Sequence, residues 1–136
     1  MKILLFIPFL FMCCMVIGQT YNSDSIIGVA IKIGNLEVAQ NDFPKEMTWI
    51  EAKKACVGLG SGWRLPTKDE LNLIYQIKDK IGGFANYHSN NYYWSSTEYD
   101  YNYAWFFSFD LGSRYYDDYS EGSKFTNYYV RAVRNF

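Results

Sequence analysis

Cys56 and His88 are the residues in this chain that most readily suggest catalysis. Cys56, however, recurs with Trp49, Ala52 and Leu59 at helical spacing, so it falls in an apolar stripe where a free cysteine is a small core residue. His88 is the single histidine, and no serine or cysteine nucleophile motif surrounds it, so it reads as solvated or as a surface contact. Asp117, Asp118 and Glu121 offer hard oxygens, but calcium needs several ligands converging on one point and no spaced set is present. They read as an acidic, solvated turn, and no metal or cofactor is expected. Arg64, Arg131 and Arg134 are expected to pair with Glu70 or Glu98 inside the fold, because guanidinium forms two-point bonds to carboxylates.

The second kind of chemistry is recognition. Eleven of the 13 tyrosines lie at or after Tyr87, and between Tyr99 and Tyr129 18 of 31 residues are Tyr, Asn, Asp or Ser. Tyrosine gives a large contact area with few rotors to freeze, and Asn and Ser add adaptable hydrogen bonds, as in antibody-like surfaces. A second reading is that the tyrosines simply cover the outer face of a sheet, where their strand propensity is good. On the first reading, Tyr101, Tyr103, Trp105, Tyr115, Tyr116 and Tyr119 are the contacts.

These residues need elements to position them. Ile26 to Ile33 reads as a strand, Gly34-Asn35 as a turn, and Leu36 to Gln40 as the second arm of a hairpin. Thr48-Trp49-Ile50-Glu51 and Thr67-Lys68-Asp69-Glu70 fit capping boxes and predict two helices. The first has Gly58 and Gly60 at its stop. The second buries Leu71, Ile74, Ile77 and Ile81 and stops at Gly82-Gly83. Further strands are expected at Tyr92 to Ser95, Ala104 to Asp110, Arg114 to Asp117 and Tyr128 to Arg134. Leu111-Gly112-Ser113 and Ser120-Glu121-Gly122-Ser123 read as turns. In the last strand Tyr129, Arg131 and Val133 share one face and Val130, Ala132 and Arg134 the other, so its arginines point opposite ways.

The 136 residues suit one domain. Lys2 and the apolar run Ile3 to Ile17 are shorter than the roughly 20 residues that span a bilayer, and fit a signal peptide over residues 1–18, cleaved after Gly18. Phe11 and Met12 are bulky beside Cys13 and Cys14, which argues against lipid anchoring there. Residues 19–25 read as a short leader and 26–136 as the domain. Removing Lys2 leaves 12 − 14 = −2 charges, which gives no basic surface for nucleic acid. Cys56 then stands alone, so no internal disulfide can form and the core must hold the fold.

Several ordered blocks carry a family resemblance: Trp49-Ile50-Glu51-Ala52, Cys56, Gly62-Trp63-Arg64-Leu65-Pro66-Thr67, Glu70-Leu71, Tyr93-Trp94-Ser95-Ser96-Thr97-Glu98 and Val130-Arg131-Ala132-Val133-Arg134. Together they resemble the Lcl C-terminal domain and the related Fibrobacter major paralogous domain, over roughly Ile27 to Phe136. The resemblance implies an α+β, C-type-lectin-like fold: two helices packed on a twisted, mostly antiparallel sheet, with the termini close together. It implies structural roles for Trp49, Trp63, Arg64, Pro66, Thr67, Glu70, Trp94, Ser95, Glu98, Arg131 and Arg134. Arg64-Leu65-Pro66-Thr67 with Glu70 is also similar to the formylglycine-generating enzyme superfamily, whose copper chemistry uses paired cysteines near the C-terminus. No cysteine follows Cys56 here. Glu-Pro-Asn, Gln-Pro-Asp and Trp-Asn-Asp, the calcium-dependent sugar motifs of C-type lectins, are absent as well.

The expected function is a secreted or cell-surface bacterial binding or adhesion module without catalysis, presenting a Tyr/Asn/Ser-rich surface to a protein or glycan. The alternatives are a catalytically degenerate relative of the formylglycine-generating enzymes, or a structural surface domain. Tyr, Asn, Asp, Ser and His codons interconvert by changes at adenines, so Tyr99 to Tyr129 is also a candidate retroelement-diversified region. A neighbouring reverse transcriptase with an adenine-rich template copy is what that idea requires.

Overall fold

A computed structural model describes residues 20–85, 91–109 and 121–136. The elements run α1 (Ser23–Ile27), β1 (Ile31–Ile33), β2 (Leu36–Val38), α2 (Trp49–Gly58), α3 (Lys68–Gln76), α4 (Lys78–Ile81), β3 (Tyr92–Glu98), β4 (Tyr103–Ser108), β5 (Glu121–Ser123) and β6 (Val133–Asn135). The class is α+β. In place of the single expected sheet there are two three-stranded antiparallel sheets, ordered β1-β2-β6 and β3-β4-β5. The first hairpin and the last strand share one sheet, which brings the two ends of the domain together.

Local chemistry accounts for α2 and α3. Thr48 and Thr67 each accept from the amide three residues on, and Glu51 and Glu70 each bond back to the cap amide. On α2, Trp49, Ala52 and Cys56 are buried, and Leu59 follows them inward. The second helix breaks at Ile77, with φ −118° and ψ 17°, leaving Ile77 half-buried and the short α4 carrying Ile81 into the core. Gly82 and Gly83 then take positive φ, 71° and 70°. A Cβ at Gly83 would lie 2.9 Å from the Gln40 carbonyl oxygen, so this close approach needs glycine.

Four expectations differ from the structure. Residues 22–25 are no leader: Asn22 caps α1, Tyr21 packs edge-on against Phe43 at 4.9 Å, and the Ile26 and Ile27 carbonyls accept from Asn41 and Gln40. The first strand is therefore only Ile31–Ile33, because Ser23–Ile27 finds a side-chain cap that composition alone does not reveal. Glu121–Ser123 is strand β5 rather than a turn. Gly122 lies so close beneath Phe106 and Tyr128 that a Cβ would meet their rings at 2.9 and 2.8 Å. The final strand is regular only at Val133–Asn135. Tyr128 to Ala132 divides its backbone bonds among Met47, Tyr92, Trp94, Phe43 and Ala39, so no two-chain ladder forms there. The expected strand at Arg114 to Asp117 and turn at Leu111-Gly112-Ser113 lie outside the described residues, as do residues 1–18 with Cys13 and Cys14.

The alternation expected near the C-terminus holds across that irregular stretch. Val130 and Ala132 join a cluster with Trp49, Trp63, Trp94 and Leu65. Tyr129 and Val133 join another with Leu36, Val38, Leu71, Ile74, Tyr93 and Phe107. On the same side of the chain as Tyr129 and Val133 stands Arg131, fully buried. Its Nε donates to Asp42 Oδ1 at 2.6 Å, its Nη1 to the carbonyls of Ala39, Gln40 and Gly82, and its Nη2 to that of Gly83. The guanidinium lies 3.9 Å from the Phe84 ring centroid. Asp42 also accepts from the Tyr93 hydroxyl at 2.6 Å, and that hydroxyl accepts from the Ala85 amide at 2.8 Å. Burial pushes the Asp42 carboxyl up, and Arg131 and Tyr93 only partly pull it back.

The ion pairs expected with Glu70 or Glu98 thus divide. Arg64 pairs with Glu70, but Arg131 takes Asp42, Arg134 takes Glu37, and Glu98 goes to Lys124. Arg131 and Arg134 sit on opposite faces, and only the first is sealed from water. Removing one partner of a buried pair costs about 3–5 kcal/mol, whereas a partly exposed pair contributes about 0–1 kcal/mol. Arg131→Ala should therefore lower the urea-unfolding free energy by about 3–5 kcal/mol, and Arg134→Ala by no more than about 1 kcal/mol. Equal losses would show that Arg131 has no special role.

Candidate functional site

The described part of the tyrosine-rich region is the β3–β4 hairpin with the start of β5 and the turn beyond it. Register pairs Tyr93 with Phe107 and Trp94 with Phe106, then shifts between Trp94 and Glu98. Along β4, Tyr103, Trp105 and Phe107 share one face. Phe107 is buried, Trp105 half-buried and Tyr103 exposed, so this face runs out of the core toward the hairpin end.

The tip itself is fixed by its own polar groups. The Tyr99 and Asp100 amides both donate to the Tyr103 carbonyl, at 3.0 and 3.1 Å. Asp100 Oδ1 accepts from the Asn102 and Tyr103 amides at 2.8 and 2.9 Å, the Asx-turn geometry that a short carboxylate permits. Lys124 then clamps the tip from below. Its Nζ donates to Glu98 Oε2, the Asp100 carbonyl and the Tyr101 carbonyl at 2.8, 2.8 and 3.0 Å, which uses all three ammonium protons. The same ammonium lies 4.5 Å from the Trp49 ring centroid, and the Lys124 carbonyl accepts from the Trp49 amide. The tip is thereby tied to the first turn of α2.

On this frame stand exposed rings. Tyr101 is 90% exposed, Phe125 82%, Tyr99 55% and Tyr103 41%. Tyr99 meets Trp105 edge-on at 5.6 Å, and the Lys68 ammonium lies 4.2 Å from the Trp105 ring centroid. Of the six expected contacts three are described: Tyr101 and Tyr103 are exposed at the hairpin end, and Trp105 is half-buried in β4. Tyr115, Tyr116 and Tyr119 lie outside the described residues. Tyr99, Phe125 and the two positioning groups, Asp100 and Lys124, were not singled out from sequence. Asp100-Tyr101-Asn102 between two aromatic runs was a legible turn signal. Nothing local marks Lys124, which acts 26 residues from Glu98.

Other tyrosines face inward. Tyr93 is fully buried, and burial together with the Asp42 carboxylate pushes its hydroxyl far up from the ordinary phenol value. Tyr128 and Tyr129 are half-buried against the cores. These rings belong to the interior, a role that neither reading of the composition gave them.

The remaining candidates are structural or undescribed. Cys56 is fully buried and burial pushes its thiol up, away from the nucleophilic thiolate. Trp63 and Trp94 are buried, and Trp94 Nε1 donates to the Met47 carbonyl. Pro66 is buried too, and Ser95 Oγ donates to the Trp105 carbonyl at 2.6 Å. Arg64 grips both Glu70 oxygens at 2.8 Å and the Asn135 amide oxygen at 2.6 Å, while Glu70 also accepts from the Thr67 amide. His88, Asp117 and Asp118 lie outside the described residues, and the Glu121 side chain does too. Among the described residues no group of His, Cys, Asp or Glu gathers as a metal site.

A family model, the Lcl C-terminal domain, matches residues 22–134, which runs from the cap of α1 into β6. The chain belongs to the Lcl C-terminal domain family. No curated protein matches the sequence. In this Lcl C-terminal domain, no helix among the described residues is long and apolar enough to cross a membrane.

Two measurements check these assignments. In Lys124→Met, hydrogen exchange at the amides of Tyr99, Asp100 and Tyr103 should quicken roughly tenfold, since hydrogen bonds to a charged group are lost, while the Val38 and Trp94 amides stay protected. Unchanged exchange at the tip would show that the clamp is dispensable. For Glu70, burial pushes the carboxyl up, but Arg64 and the Thr67 amide outweigh it and hold the group below its usual value. A depressed folded value stabilises above the unfolded pKa and is lost as pH falls through the folded one. Wild type should thus lose stability relative to Glu70→Gln as pH falls below about 4.3. This comparison removes the opposite contribution of Asp42. Parallel stability curves for the two proteins would show that Glu70 is not held down.

Proposed function

We propose that this chain is a secreted or cell-surface bacterial binding module, without catalysis, that grips a protein or glycan through the β3–β4 tip. The observation that carries this reading is Tyr101, 90% exposed on a turn whose backbone is bonded by Asp100, Tyr103 and Lys124. A large ring held out in water by a fixed frame loses little further freedom on binding, so most of its contact energy appears as affinity. Tyr99 and Phe125 are exposed as well, and large apolar groups left in water are characteristic of interaction sites. The apolar run Ile3 to Ile17, which fits a signal peptide, supports secretion.

Arrays of glycans and proteins probed with the purified chain, with and without calcium, identify the partner class. Tyr101→Ala and Tyr103→Ala should each weaken the captured interaction, the first by roughly tenfold as expected for a central aromatic contact. Their folds should stay intact, because neither ring is buried. Binding indifferent to both substitutions would favour a structural surface domain, and metal-dependent turnover in the purified protein would favour the enzyme class instead.

A further inference from the structure

Removal of the signal peptide would create a reactive pair of groups that the uncut chain does not have. With the cut after Gly18, which goes with the secretion proposed above, the chain starts Gln19-Thr20-Tyr21. Glutamine carries a neutral carboxamide carbon at the distance from its own α-amine that closes a five-membered ring. Asparagine is one methylene shorter and would need a strained four-membered ring, and the carboxylate of glutamate is a far poorer electrophile. An α-amine has a pKa of about 8, so a nucleophilic, neutral fraction is present at pH 7. Gln19 itself lies outside the described residues, but the residues after it show where the fold takes hold. Thr20 is exposed, Tyr21 packs edge-on against Phe43 at 4.9 Å, and Asn22 accepts from the Asp24 and Ser25 amides at 3.0 and 3.4 Å. Anchoring thus begins at Tyr21, two residues after the new start.

We propose that Gln19 is a modification site and that the mature chain begins with pyroglutamate. This rests on the secretion proposed above, with its cut after Gly18. The α-nitrogen attacks the side-chain carbonyl carbon Cδ, a C–N bond forms, the Cδ–Nε2 bond breaks, and ammonia leaves with the proton that the amine gives up. No oxidant, water or second substrate enters. Both reacting groups belong to one residue, so the ring closes without the entropy loss of bringing two molecules together. The product has a neutral lactam where a free ammonium would stand, a change of the same kind as N-terminal acetylation. Aminopeptidases recognise that ammonium. The lactam therefore protects the short lead-in to Tyr21 and the cap of α1 from trimming.

Export of the full chain from a bacterial host, followed by intact-mass measurement of the released protein, tests this. The expected mass is that of residues 19–136 less one ammonia. Stepwise N-terminal sequencing should fail until pyroglutamate aminopeptidase opens the chain at Thr20. Gln19→Asn should be cut at the same bond, keep its ammonia and its free amine, and focus at higher pH than wild type because it retains one positive charge. A broad aminopeptidase should shorten Gln19→Asn as far as the packed Tyr21 and leave wild type intact. A wild-type chain that starts at Gln19 and still has a free amine after prolonged incubation in neutral phosphate buffer would overturn the cyclisation and leave the secretion standing. A different first residue would overturn the cut after Gly18 and the proposal with it, and a retained signal peptide would overturn the secretion as well.

Discussion

A guanidinium taken out of water needs a counter-charge and an acceptor for each of its nitrogens, or its burial costs several kcal/mol. Arg131 finds all of these at once, and the groups that serve it come from two separate stretches of chain, 39–42 and 82–84. Asp42, Ala39 and Gln40 follow the first hairpin, Gly82 and Gly83 end α4, and Phe84 leads toward β3. The ion therefore specifies how these stretches meet. Leu, Val and Phe contacts in the two clusters supply the bulk of the burial energy, but they are non-directional and would tolerate other packings.

Around that ion the backbone of Tyr128 to Asn135 acts as a common seam. It exchanges bonds with Met47 and Arg64, bonds Tyr92 and Trp94, accepts from Phe43 and Ala39, and pairs with β2. Two small sheets that share no strand are joined through this seam, which divides the apolar residues into two clusters, one on each of its faces. The hairpin tip projects from the β3–β4–β5 sheet and needs no contact with the ion. Its order comes from Asp100 and from Lys124, which ties it to the start of α2, so exposed residues can change there without disturbing the seam. That separation between a fixed interior and a self-supporting tip is what a recognition scaffold requires.

What sequence revealed follows from distance along the chain. Both capping boxes, the stripe Trp49, Ala52, Cys56 and the facing alternation of Val130, Arg131 and Ala132 were legible because each depends on neighbours a few residues away. Arg64 with Glu70 was legible for the same reason, six residues apart. The partner of Arg131 was not: Asp42 lies 89 residues earlier, in a stretch with no period and no motif. α1 was missed because its stability lies in one Asn22 cap and in docking, not in composition. Tyr101 and Tyr103 were singled out from residue type and stand exposed, while the clamp by Lys124 is a tertiary bond that no local pattern announces.

Native-state hydrogen exchange tests the seam most directly. The amides of Ala39, Phe43, Arg64, Trp94, Tyr128 and Val133 all bond across it. If the seam unites the fold, these amides exchange with one shared free energy equal to that of global unfolding. A first sheet whose Ala39 and Val133 amides open at distinctly lower free energy than Trp94 would contradict it, and would make the protein two loosely joined pieces.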